Sequence, residues 1–88
     1  MEQPAAVYIA FDVFPRPKGS SSHIASMVHA LSRRFQPTWL LCLGYGDMPS
    51  RQVEGDVVIY RHKLYHPNLL RRATEFMEFV REMSIDNK

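Results

Sequence analysis

Val7-Tyr8-Ile9-Ala10-Phe11, then Pro15 and Pro17, then Lys18-Gly19-Ser20-Ser21-Ser22: the reading of this stretch decides the fold. The β-branched and aromatic run reads as a buried strand, and the two prolines stop it sharply. Gly19 tolerates backbone angles closed to other residues, and serine is a preferred residue at the opening of a helix. A helix is therefore expected from this point. Ile24, Met27, Val28, Leu31 and Phe35 follow at helical spacing and form an apolar stripe, while Arg33 and Arg34 suit the negative end of the helix dipole. Pro37 closes the helix.

Working outward, Thr38-Trp39-Leu40-Leu41-Cys42-Leu43 is a continuous apolar run bounded by Gly44 and Gly46, as expected for a strand covered on both faces of a parallel sheet. Gly55-Asp56 marks a turn into Val57-Val58-Ile59-Tyr60, a third strand. The polar interval from Tyr45 to Glu54 contains a proline and reads as a loop. His66-Pro67-Asn68 resets the chain, because proline restricts the residue before it and asparagine is a good helix cap. Leu69, Leu70, Ala73, Phe76, Met77, Val80 and Met83 then mark one face of a second amphipathic helix. Glu75 and Glu78 stand at helical spacing from arginines, which predicts weak surface ion pairs. The order β-α-β-β-α, with apolar strands and a glycine-bearing turn after the first, predicts an α/β fold that begins an open, Rossmann-like sheet and leaves it incomplete.

Length and composition narrow the function classes. A chain of 88 residues holds one small domain at most, so residues 1–88 are expected to form a single partial unit. Apolar residues make up 45% and charged residues 23%, which excludes a disordered or collagen-like chain. The net charge is only +2 and the arginines occur as the separate pairs Arg33-Arg34 and Arg71-Arg72, so no basic stripe for nucleic acid is present. The single cysteine, Cys42, sits within an apolar run and supports neither a disulfide framework nor a thiolate metal site. The amino-terminal segment lacks the positive region and cleavage site of a secretory signal, and its apolar stretch is too short to span a bilayer. No transmembrane segment and a cytoplasmic location are expected.

In open α/β sheets, ligands bind beyond the carboxyl ends of the strands. Here the first such turn is Phe14 to His23. Amides at a helix start lack intrahelical partners and face, with the dipole, toward a phosphate. Gly19 permits close approach, Ser20, Ser21 and Ser22 add hydroxyls, and Lys18 adds charge. His23, in the first helical turn, lies off the apolar stripe and faces the expected cleft. The candidate substrate-binding residues are thus Lys18, Gly19, Ser20, Ser21 and His23, although a glycine-serine helix cap is also a common structural feature. The turn is neither a GxGxxG fingerprint nor a Walker loop, and both are rejected. Asp12 ends the first strand and suits a hydrogen bond to the following turn. His29, His62 and His66 show no metal-ligand spacing, and Cys42, in mid-strand, is no nucleophile. Neither a metal, a cofactor nor a catalytic residue is assigned.

These residues carry a family likeness. The run Phe11-Asp12-Val13-Phe14-Pro15, then Lys18 to His23, then the helix Ile24 to Phe35 ending in a basic pair, resembles the start of the family 4 glycosyltransferases of the GT-B fold. There a Pro-rich loop and a Gly-Gly-x-x-x-His pattern precede such a helix. The segment Leu69 to Phe76 resembles the helix after the third strand, so the likeness spans nearly the whole chain. Lys18 stands where the family has its first loop glycine, and Gly19 matches the second. The resemblance implies the first part of an acceptor-side domain, with Gly19 near the donor phosphates and His23 lining the same cleft. It implies transfer of a sugar from a nucleotide-sugar donor to an acceptor hydroxyl without an obligatory metal. The donor-binding half of such an enzyme has no counterpart in these residues, so the chain is expected to be an inactive fragment. The first strand is then expected to present an open sheet edge and to self-associate through it. A complete small α/β binding or interaction module without catalysis is the alternative.

Overall fold

A computed structural model describes residues 3–15, 20–63 and 67–86. Six elements follow one another: β1 (Ala6–Val13), α1 (Ser20–Arg34), β2 (Thr38–Gly44), β3 (Arg51–Glu54), β4 (Val57–Lys63) and α2 (Leu69–Asp86). The fold is α/β, with a four-stranded mixed open sheet in the order β1-β2-β4-β3. β1 pairs with β2 and β2 with β4 in parallel, while β3 runs antiparallel to β4.

The element order corrects the expected β-α-β-β-α by one strand, and with β3 antiparallel the mixed sheet does not reproduce the expected Rossmann-like order. β3 lies inside the Tyr45–Glu54 interval that reads as a loop, and its Arg51-Gln52-Val53-Glu54 sequence offers one apolar residue. Its position explains the composition: β3 is an edge strand, where charged side chains are favoured. The hairpin that makes it turns at Gly55-Asp56. Gly55 has a φ of 61°, and among the described residues only glycines have a positive φ, the pattern of a type II′ hairpin turn.

Strand register sorts the side chains onto two faces. Tyr8, Leu40 and Ile59 are aligned across β1, β2 and β4, and with Cys42 and Val57 they meet Ile24 and Val28 of α1 in the buried core. Val7, Trp39 and Val58 are aligned on the opposite face, where α2 lies. There Phe76 meets Phe11 at 5.4 Å between ring centroids, and Trp39 meets Tyr60 at 4.8 Å. β2 is an interior strand, flanked by β1 and β4, and is buried along almost its whole length, which is why its sequence is a continuous apolar run.

The two helical stripes are covered only in part. Ile24 and Val28 are buried, but Met27 and Phe35 are exposed; Phe76 is buried, whereas Leu69, Leu70 and Met77 are exposed. A sheet of four strands does not offer either helix a surface as wide as its stripe. The Asn68 cap and the ion pairs follow expectation. Asn68 Oδ1 accepts a hydrogen bond from the Arg71 amide at 3.1 Å, and Arg71–Glu75 and Arg81–Glu78 form exposed pairs at 3.9 and 3.6 Å.

Candidate functional site at the carboxyl rim

Because β1, β2 and β4 are parallel, their carboxyl ends at Val13, Gly44 and Lys63 lie along one rim of the sheet. α1 returns the chain from the end of β1 to the start of β2, so its first turn, with Ser20 to His23, opens at this rim. Of the candidate residues, Lys18 and Gly19 lie outside the described residues, and Ser20 is the first residue of α1. Ser21 is half-buried and His23 is exposed, consistent with His23 lying off the stripe of Ile24 and Val28. Asp12 Oδ1 accepts a hydrogen bond from the Val13 amide at 2.8 Å, at the strand end.

The rim is organised by a residue that sequence reasoning missed. Arg61, near the end of β4, is 4% exposed, and its two recorded acceptors are main-chain carbonyls. Nε donates to the Phe14 carbonyl and one terminal nitrogen donates to the Pro49 carbonyl, both at 2.8 Å. One guanidinium thus holds the loop after β1 against the loop after β2. Main-chain bonds from the Arg61 amide to the Ser50 carbonyl (2.8 Å) and from the Phe14 amide to the Leu43 carbonyl (3.2 Å) fix the same two loops. Lys63 Nζ adds a bond to the Gly46 carbonyl at 3.2 Å.

Gly44 makes room for this clamp. A Cβ at that position would lie 2.8 Å from Arg61 Cδ, and that side chain is tethered at its far end by two hydrogen bonds. Beside Arg61, His62 stacks on Phe79 with centroids 5.1 Å apart, and its Nε2 is buried without a hydrogen-bond partner. One signal in the sequence could have found Arg61. It continues the alternation of Val57 and Ile59, so it falls on their core-facing side.

Cys42 is 0% exposed and lies between Leu40 and the clamp. Burial pushes its thiol up from 9.0 to about 12, only partly opposed by the positive charge of Arg61. A thiol that stays protonated is no nucleophile. The sign of the pH effect follows: the folded state holds this proton more tightly than the unfolded state, so the stabilisation is complete below pH 9 and is lost as pH rises from 9 toward 12. Denaturant titrations between pH 8 and pH 10 should show stability falling by about 1 kcal/mol from this group, and Cys42→Ala should remove that part of the slope. An equal slope in wild type and variant would refute the assignment.

No family model, curated protein or solved structure matches this chain. The site therefore rests on its own geometry. A groove of about 320 Å³ opens on the α1 face of the sheet, floored by Val28, Leu40, Val57 and Ile59 and rimmed by His29 and Glu54. Neither Ser21 nor His23 lines it. Among the described residues, no group of three or more His, Cys, Asp or Glu is placed to hold a metal ion. No helix among them is long and apolar enough to cross a membrane.

Proposed function

We propose that this chain is the acceptor-side opening segment of a nucleotide-sugar glycosyltransferase of the GT-B kind, with the candidate site at the turn that opens α1. The observation that carries this reading is that α1 begins, at Ser20, on the side of the shared carboxyl ends of three parallel strands, where open α/β sheets take their ligands. The likeness of residues 11–35 to the family supplies the chemistry. By that likeness Lys18, Gly19, Ser20, Ser21 and His23 are the substrate-binding residues, and Arg61 would keep the neighbouring loops in place. A second half carrying the nucleotide pocket would complete the cleft, and the chain by itself does not transfer sugar. A cytoplasmic setting, where nucleotide sugars are available, belongs to the same reading.

The test is an amide-resolved NMR titration of the labelled 88-residue chain with UDP, GDP and ADP. Half a cleft is expected to bind weakly, with Kd on the order of 1 mM, and shifts should concentrate at residues 18–23. Shifts confined to the groove between α1 and β4, or none up to solubility, would contradict the site. Sugar transfer by the purified chain would overturn its assignment as an inactive part.

A second reading, an interaction module without catalysis, is favoured by one observation. Val7, Ile9 and Phe11 of β1 are all exposed at a sheet edge. Under that reading the chain melts in one cooperative transition and its rim gives no nucleotide response.

A further inference from the structure

The two edges of the sheet are built differently. β3 is four residues long and carries Arg51 and Glu54, the features that discourage pairing with another chain. β1 is eight residues long, and Ala6-Val7-Tyr8-Ile9-Ala10-Phe11 contains neither charge nor proline. Its register with β2 is regular from Ala6 to Ile9 and shifts only between Ile9 and Val13. Among the described residues no strand pairs with its outer side.

The apolar surface continues from this edge onto α2. Of the strands, β1 is the one that α2 packs on most closely. Phe76 rests on Phe11 of β1, while Phe79 lies toward β4, stacked on His62. At 100° per residue, Val80 and Met77 fall on the flank of α2 opposite Phe79, beyond the β1 edge. Met77 is 62% exposed and Ile9 is 52% exposed. An unpaired strand edge and an uncovered helix flank thus lie side by side, as they would where a sheet is meant to continue beneath the helix.

We propose that the occupant is a second copy of this chain, paired antiparallel through β1 about a two-fold axis at Ile9, perpendicular to the sheet. That operator keeps both α2 helices on one face, with their Met77 and Val80 flanks turned toward each other across the seam. The sequence of β1 is self-complementary in this register. Ile9 meets Ile9, Val7 meets Phe11 on the α2 face, and on the other face the large Tyr8 meets the small Ala10. Asp12, the only charge in β1, meets Ala6, so no like charges are opposed. The dimer extends the sheet to eight strands, leaving only the short, charged β3 edges at its ends. The exposed β1 edge and the β1 sequence carry this dimer; the fragment reading leaves that same edge open, and the nucleotide titration tests that reading separately.

The experiment is sedimentation of the full chain over a dilution series, together with cysteine cross-linking. Wild type should sediment as a dimer. Ile9→Lys should sediment as a monomer with an unchanged circular dichroism spectrum, because Ile9 is half exposed. In a Cys42→Ser background, Ile9→Cys should form a disulfide-linked dimer on mild oxidation, since directly opposed strand residues lie about 5 Å apart, and Val53→Cys on β3 should not. A wild-type monomer at every concentration would overturn the proposal. So would a dimer that persists in folded Ile9→Lys, cross-linking through Val53→Cys in place of Ile9→Cys, or open-ended assembly.

Discussion

Arg61→Ala should cost about 3 kcal/mol, and for a chain of this size that lowers the melting temperature by on the order of 10–20 °C. The substitution removes a buried side chain and leaves the Phe14 and Pro49 carbonyls without the charged donor that bridges them. Each orphaned acceptor costs about 1–3 kcal/mol, and the space left by the side-chain stem beside Gly44 and Cys42 adds to it. Arg61→Lys keeps the charge but has no planar fork to reach both carbonyls, so it should fall between alanine and wild type. Thermal melts of the three proteins followed by circular dichroism decide the matter. Arg61→Ala melting within a degree or two of wild type would mean that the two loops do not depend on the clamp.

Phe76→Ala should be as severe, at about 3–5 kcal/mol, with a different signature. Of the described side chains of α2, Phe76 alone is fully buried, at 2% exposure. Its ring touches both Phe11 and Phe79, so it joins α2 to the β1 side of the sheet and to the ring that covers His62. Losing it should release α2 before the sheet melts, as a helix anchored by one large contact is a unit of low local stability. Hydrogen exchange should show α2 amides losing protection while β2 amides keep theirs. Uniform loss across both elements would show that α2 and the sheet unfold as one.

How much of this was legible in the sequence depends on which residues carried the information. β2 was readable because a central strand covered on both faces needs apolar side chains on each, and Thr38 to Leu43 has no other economical reading. The start of α2 is readable from Asn68, because capping chemistry is local, and α1 begins within the serine run, at Ser20. β3 was hidden because an edge strand can be polar, and Arg51-Gln52-Val53-Glu54 lacks the alternation that marks a half-buried strand. The Gly55-Asp56 turn is visible in the sequence, and a two-residue turn of this kind joins two strands, but only the apolar one after it carries a strand signal. Stripe width was overestimated at Met27, Phe35, Leu69, Leu70 and Met77, since periodicity reports what a helix could bury, not how much sheet exists to bury it against.

The candidate site was legible only in outline. That α1 starts on the carboxyl side of the sheet follows from topology alone, as connecting two parallel strands through a helix requires. Arg61 is masked in the sequence because a charged residue in a strand counts against burial, although its phase with Val57 and Ile59 points inward. What permits a buried cation there is a pair of carbonyl oxygens from loops 12 and 47 residues away in sequence, and no local pattern encodes such a meeting.

Both the rim and the open edge follow from the parallel pairing of β2 with β4, with β1 outside them. Long-range NOEs between main-chain protons of these strands test it most directly. Contacts linking Thr38 to Val57 and Gly44 to Lys63 are predicted. Contacts linking Thr38 to Lys63 and Gly44 to Val57 would mean antiparallel strands, and would dissolve the shared rim on which the functional reading stands.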